Sequence, residues 1–572
     1  MTDLPEWAGR MRDLFRAGAV AQFILHGNVF DVVPDADGTQ RSLPGFLNDV
    51  MFGSYDVVLH YDRSRGLYAT RGADDFGTWL DQVLGSAAGL AQTREPAAAL
   101  ELLDRYLLRT LHRQQLGDAT ASTPRRVAVM IHFAEFVAPR GDALQLGGAF
   151  AANVVKLLGW ANDPAILQSN IITVLVSEGL NDLNQLVVEN PHAATLEIPL
   201  PSDADTLTYL ETLGCGEMPD LAARSDVPLP QLAARLTGLS RVGVRKLLAT
   251  AMVGGARLTP AWLSARKKEA IERECHGLLE FLESPLTLDH VAGQDAIKHW
   301  LREDTELLRR GAVRALPMGY LIAGRIGTGK TFLVQCWAGE LGIPCAVLKN
   351  FRDRWVGATE TNLAKIFAVL RALGQVLVFV DEADQAAGKR DAGADDGGLS
   401  GRVYSMLAKE MSDTTNRGRI IWVFATSRPD LVEVDLKRQG RLDVHIPLFP
   451  PETRAEKDAL LRSIARKLGV TLTDADVPPL PDGVGLGSNE LEGVLVRVLR
   501  ILELAPAPAP TLRDVLAQVL AEVRPSAFTR KLEYMDYVAV KECTDARFLP
   551  ARFRDLTPEM IEERIAALRP FV

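Results

Sequence analysis

The chain has 572 residues, with 64 basic and 73 acidic side chains and a formal net charge of −9. Apolar residues make up 47% and charged residues 24%. That balance belongs to a folded protein with real cores and excludes a largely disordered, collagen-like or coiled-coil chain. The length predicts three or four structural units, and the acidic balance argues against a general nucleic-acid-binding protein.

The opening stretch, MTDLPEWAGRMRDLF, has no basic region followed by an apolar one, so no secretory leader is expected. No apolar run reaches the ~18 residues that span a bilayer, so no membrane partner is expected. Cys215, Cys275, Cys336, Cys345 and Cys543 are widely spaced and form no CxxC pair. This pattern fits a reducing compartment, and a cytoplasmic location is expected.

In chain order, AGAVAQFILHGNVFDVV (17–33) and YDVVLHYDRSRGLYAT (55–70) read as strands. VAVMIHFAEF (127–136) and IITVLVSEGLND (171–182) are buried-strand patterns ending in polar residues. LEIPLP (196–201) and TGLSRVGV (237–244) follow, and ARKKEAIEREC (265–275) reads as a linker helix.

Residues 320–331 read YLIAGRIGTGKT: an apolar strand, then Gly324, Arg325, Ile326, Gly327, Thr328, Gly329, Lys330 and Thr331, then an apolar helical stretch. This is the G-x-x-x-x-G-K-[ST] phosphate loop in its strand–loop–helix setting. Glycines let backbone N–H groups turn inward around a polyphosphate, and the next helix presents its positive end. Lys330 is expected on the β/γ-phosphates and Thr331 on Mg2+. Residues 376–384, VLVFVDEAD, form a second buried strand ending in two carboxylates. Asp381 is expected to hold the Mg2+ shell and Glu382 to orient or deprotonate an attacking water. Ligands of open α/β sheets bind at the strand C-termini, where loop and carboxylates converge. ATP and Mg2+ are therefore the expected ligands.

Over residues 286–530 the order of these pieces resembles the AAA clade of AAA+ ATPases. The resemblance implies a duplicated α/β nucleotide-binding fold with helical lids, working as a ring of six. By that likeness Val291, Ala292 and Gly293 in PLTLDHVAGQDAIKHWL (285–301) lie near the adenine. RIIWVFATSRPD (419–430) is similar to the family's sensor strand, with Ser427 where asparagine is usual and Thr426 beside it. LKRQGRLDVHIPLF (436–449) makes Arg438 and Arg441 arginine fingers reaching a neighbour's γ-phosphate. FRDRWVGATETNLAKIF (351–367) resembles the pore loop, with Trp355 and Val356 gripping a polypeptide between Arg352, Arg354 and Glu360. GKRDAGADDGGLSG (388–401) matches a second pore loop or a plain solvated loop. Leucine-rich helical patterns over 451–530, including GLGSNELEGV (485–494), match the lid; the last residues carry no readable motif.

The first half repeats the second. In each half 44 residues separate the two buried strands, and LEIPLP and VHIPLF follow the first valine by 69 and 68 residues. His132 stands for Asp381, Phe133 for Glu382, Asn190 for Arg438 and Ala193 for Arg441. No phosphate-loop pattern precedes residue 250. The expected organisation is a degenerate large subdomain (1–202) with its lid (203–262), a linker helix (263–284), an active large subdomain (285–450) with its lid (451–530), and an extension (531–572). The expected function is ATP hydrolysis by an oligomeric ring that remodels protein clients. The alternative is an ATP-dependent scaffold or switch that threads nothing. No HExxH occurs, so any proteolysis is expected from another chain.

Overall fold

The computed structural model describes residues 4–35, 37–84, 93–115, 126–141, 147–275, 277–349, 359–386, 397–478, 487–506, 510–523 and 528–571. Trp355, Val356, Arg352, Arg354 and most of 388–401 lie outside them. The chain divides into two compact units: Met1–Ile271 with Gly357–Ala372, and Glu272–Val356 with Leu373–Val572.

The first unit contains β1 (Gln22–Gly27), β2 (Val32–Pro34), β3 (Gln40–Ser42), β4 (Val57–Asp62), β5 (Gly66–Arg71), β6 (Val127–His132), β7 (Ile171–Val176) and β8 (Ala193–Ile198). Six of these make one sheet in the order β5-β4-β6-β7-β1-β8. All its pairs are parallel except β4 with β5. Every residue of β6 and β7 is buried, which is why these segments are apolar without alternation. The helices Asp203–Cys215, Leu229–Leu236 and Arg241–Val253 follow the sheet. The helix Thr359–Leu373 groups with this unit, where Lys365 Nζ donates to Glu178 Oε1 at 2.8 Å.

The second unit contains β9 (Leu279–Leu282), β10 (Gly319–Ala323), β11 (Cys345–Leu348), β12 (Val376–Val380), β13 (Ile420–Thr426) and β14 (Val444–Pro447), in the order β14-β10-β13-β12-β11-β9. Again only the edge pair, β9 with β11, is antiparallel. β10, β12 and β13 are buried throughout.

The two sheets share one plan: β1 takes the place of β10, β6 that of β12 and β7 that of β13. They differ in the source of the antiparallel edge. β5 follows β4 through a hairpin, whereas β9 comes from the segment before the module. The stretch 263–284 is accordingly helical only through Glu274 and then joins the second sheet. Three helices, Arg454–Lys467, Ser488–Leu504 and Leu512–Glu522, pack through Leu461, Leu491, Val498 and Leu516 into a separate small core. The final residues form the helices Thr529–Glu542, Ala551–Arg554 and Pro558–Leu568, joined to the sheet side by Phe449 against Phe553.

Candidate nucleotide site

Gly324 through Gly329 connect the C-terminal end of β10 to the helix Lys330–Leu341. A side chain at Gly324 is excluded because a Cβ there would run into the Leu448 carbonyl oxygen. Gly329 has φ 83°, the left-handed turn that starts the helix. Lys330 Nζ donates to the carbonyl oxygens of Gly324 at 2.8 Å and Arg325 at 3.1 Å, so its ammonium lies inside the loop. Burial pushes it down to about 8, against the opposing pull of Asp381, Asp384 and Glu382. Thr328 Oγ1 also donates to Arg325 O, at 2.9 Å, while Ile326 is exposed at the loop's tip.

Asp381 and Glu382 follow β12, two strands from β10 with β13 between them. Thr331 Oγ1 donates to Asp381 Oδ2 at 2.8 Å, and the Glu382 backbone N–H donates to Asp381 Oδ1 at 2.9 Å. The adjoining hydroxyl and carboxylate oxygens are the donor type that Mg2+ takes, so the residues present fit that ion. Glu382 is exposed and has φ 48°, a conformation costly for a residue with a Cβ. At the end of β13, Thr426 Oγ1 donates to Asp384 Oδ1 at 2.6 Å and accepts the Arg428 N–H at 2.9 Å. The Thr426 hydroxyl is therefore engaged with Asp384, and the adjoining Ser427 is half-buried.

A cavity of about 640 Å³ opens beside the loop. Val291, Ala292 and Gly293 line one wall, with Gly327–Thr331, Thr453, Glu456 and Asn489. The lid closes on the loop directly: Ser488 N and Oγ both donate to Gly327 O, at 2.9 and 2.8 Å. Phe548, Leu549, Pro550 and Ala551 also line the cavity, although their sequence carries no motif. Asp384 is a second residue missed by sequence reasoning. Its signal was its position, three after Asp381 on the turn that follows β12.

Arg438 and Arg441 are not in this cavity. They precede β14, whose Val444 pairs with Tyr320 near the start of β10. Asp443 N donates to Gly319 O at 2.9 Å, which fixes the arginine segment at the N-terminal end of β10, opposite the phosphate loop. Arg438 is exposed and lies 3.4 Å from Asp435; Arg441 donates to the Asp435 carbonyl.

The first unit keeps the plan and lacks the chemistry. Phe133 has φ 53°, matching Glu382, so the turn after β6 survives with a phenyl ring in place of the carboxylate. His132 Nε2 lies 3.0 Å from His60 Nδ1, and His60 Nε2 lies 2.9 Å from Thr70 Oγ1. Burial lowers both imidazoles, His60 to about 4, which favours the neutral form of each in this hydrogen-bonded pair. After β1, where the phosphate loop would start, stands Asp31. Its carboxylate accepts the backbone N–H groups of Arg241 and Val242, each at 2.9 Å. These open the helix Arg241–Val253, so Asp31 holds the helix N-terminus of its own lid.

A mostly parallel sheet plan that occurs twice, and that carries the phosphate loop and strand-end carboxylates only in the second unit, defines a duplicated P-loop nucleotide-binding fold. Residues 1–199 match the AAA+ chaperone N-terminal Rossmann-like domain, and 205–276 the AAA+ chaperone second helical domain. Residues 320–449 match the ATPase family associated with various cellular activities. The chain belongs to the AAA+ ATPases, with tandem modules of which the first is degenerate. Among its relatives, the ATP-dependent zinc metalloprotease FtsH 2 of Symbiobacterium thermophilum is 34% identical over 187 residues, 31% of this chain and 32% of the relative. The peroxisomal ATPase PEX6 of Cricetulus griseus is 29% identical over 390 residues, 60% of this chain and 39% of the relative. Human PEX6 is 32% identical over 246 residues, 40% of this chain and 25% of the relative. The chain thus spans well under half the length of these relatives.

Proposed function

We propose that this chain is a subunit of a Mg2+-dependent ATPase ring that remodels protein clients in the cytoplasm. In this reading 285–450 and 451–530 are the working module and its lid. Residues 1–202 and 203–262 are a copy that needs no nucleotide, 263–284 join the two, and 531–572 extend the second.

Gly324, Arg325, Ile326, Gly327, Thr328 and Gly329 turn backbone N–H groups toward the polyphosphate, and Lys330 neutralises its charge. Val291, Ala292 and Gly293 receive the base. Thr331 and Asp381 would hold Mg2+, which when bound neutralises charge on the phosphate oxygens. Glu382 orients the attacking water and takes its proton, and Ser427 contacts that water or the γ-phosphate. Charge developing on the transferred group is met by Arg438 and Arg441 of a neighbouring subunit.

The observation that carries the reading is the location of those arginines. Five residues of β10, at roughly 3.3 Å each, separate them from their own phosphate loop by ~16 Å. That distance is beyond the reach of an arginine side chain, so they serve another subunit's site. A site completed in trans requires an oligomer, and repeated head-to-tail contacts close into a ring. Six subunits is the number the family resemblance implies. Trp355 and Val356 grip the client in the channel. Among the described residues no helix is long and apolar enough to cross a membrane.

The test mixes two inactive chains. Arg438→Ala retains a nucleotide site but no finger, and Lys330→Ala retains the finger but no site. Mixed rings should recover part of the wild-type ATPase rate. No recovery in assemblies shown by sequential pulldown on two different affinity tags to contain both chains would refute the trans site.

A further inference from the structure

We propose that the helix Thr529–Glu542 is a positioning element that joins a subunit's own phosphate loop to the arginine segment serving its neighbour. Three polar side chains of this helix, Tyr534, Asp536 and Glu542, each clamp a different part of the machinery.

The first clamp is Asp536, 4% exposed, whose Oδ2 lies 3.8 Å from Arg325 Nη1 in the phosphate loop. Arg552 lies on its other side at 3.9 Å and is itself fixed to Glu452 at 2.6 Å. The second Asp536 oxygen is buried without a hydrogen-bond partner, so the carboxylate depends on the two guanidinium groups. Arg325 matters because its carbonyl oxygen accepts both Lys330 Nζ and Thr328 Oγ1. Holding the Arg325 side chain therefore holds the peptide that Lys330 leaves when its ammonium turns to phosphate.

The second clamp is Tyr534. Its hydroxyl donates to Asp430 Oδ2 at 3.2 Å, and its ring lies under the Arg428 guanidinium at 5.2 Å. Arg428 and Asp430 form a two-bond pair at 2.9 and 2.8 Å immediately after Ser427. The third clamp is Glu542, which pairs with Lys437 Nζ at 2.5 Å. Lys437 also donates to Pro429 O at 3.0 Å, and it directly precedes Arg438. His445 at β14 anchors the same end of the helix through the Glu542 carbonyl, 2.8 Å away.

From Tyr534 to Glu542 the helix advances only ~12 Å. A rigid rod of that length couples the cis loop, the end of the sensor strand and the arginine segment. A shift in the loop on nucleotide binding or release moves Lys437 and with it the neighbour-facing Arg438. This proposal rests on the trans reading above, and its test separates the two.

For the cis end, Asp536→Asn in the full chain should raise the KM for ATP ~10-fold, equivalent to ~1.4 kcal/mol, with kcat within about twofold. A fall in kcat at unchanged KM would overturn this arm. For the trans end, Arg438→Ala rings are mixed with Lys330→Ala donors, or with donors that carry Glu542→Gln as well. The single-variant donor should rescue ATPase activity, and the double-variant donor should rescue at least fivefold less. The charge swap Lys437→Glu with Glu542→Lys in the same donor should restore rescue, which separates positioning from misfolding. Equal rescue by both donors overturns the coupling. Failure of the Lys330→Ala donor by itself refutes the trans reading instead, and with it the trans arm.

Discussion

Removing the Asp31 carboxylate should release the lid of the first unit, which Asp31 holds without any nucleotide. Asp31 is 3% exposed and accepts two N–H groups at the start of a 13-residue helix. Asn28 Nδ2 donates to the same carboxylate at 2.9 Å. Asp31→Ala deletes a charged acceptor from two backbone donors and leaves both in a dry site. A bond to a charged group is worth ~1.5–3 kcal/mol, and a carboxylate at a part-buried helix N-terminus adds up to ~2 kcal/mol. Because the two donors share one acceptor, the terms overlap, and a net loss of ~3 kcal/mol is expected. Ser240, which caps Gly243 N at 3.0 Å, still supports the helix, so the loss is local.

Hydrogen exchange on the full chain is the suitable assay, since a two-unit protein has no single unfolding free energy. Amides at 247–251 should exchange ~100-fold faster, at ~1.4 kcal/mol per factor of ten. Those of 491–498 should not change. Asp31→Asn keeps one acceptor and should show a smaller acceleration. Unchanged protection at 247–251 in Asp31→Ala would mean that the helix is held by packing, and the reasoning about the carboxylate would be wrong.

The remaining expectations concern chemistry. Glu382→Gln should bind ATP with near-normal affinity and lose at least ~100-fold in kcat, because an amide takes no proton; equal hydrolysis would remove Glu382 from the mechanism. Lys330→Ala should abolish binding measured by calorimetry on the full chain. Any micromolar nucleotide binding left in it would reveal a second site and contradict the reading of the first unit. Burial lowers Lys330 from its ordinary 10.5 to about 8, so below pH 8 the free enzyme carries the ammonium that phosphate requires. Above pH 8 that proton must be taken up on binding, and the KM for ATP should rise; a flat KM to pH 9.5 would refute the assignment. Trp355→Ala should retain basal ATPase and melting temperature but lose client-stimulated hydrolysis. A core tryptophan would instead cost ~3–5 kcal/mol and lower both together.

The phosphate loop and the VLVFVDEAD strand were legible because their chemistry dictates residue types at short spacing. Glycine is needed where a Cβ meets Leu448 O, and an unbroken apolar run is needed where a parallel strand is covered on both faces. The duplication was legible for the same reason: equal strand separations reflect equal crossovers. Long-range pairings left no such trace. Nothing in LEYMDYVAVKE announces that Asp536 meets Arg325, 211 residues earlier, or that Glu542 meets Lys437. A lone carboxylate on a helix looks like solvated surface until its partners are known.

Asp31 shows the same division. HGNVFD reads as a loop with no ligand, and only the folded chain brings residue 241 onto it. The sequence by itself determined the strands at the centre of the two sheets, the one phosphate-loop pattern with its strand-end carboxylates, and the replacement of those residues in the first half. Those properties are local patterns, and a local pattern sets its own periodicity and chemistry. The tertiary structure alone decided that the arginine segment lies at the end of β10 opposite the phosphate loop and that the helix Thr529–Glu542 touches both the loop and that segment. The physical reason is that strand direction and helix docking bring together charges hundreds of residues apart, and no spacing rule in the chain encodes that approach.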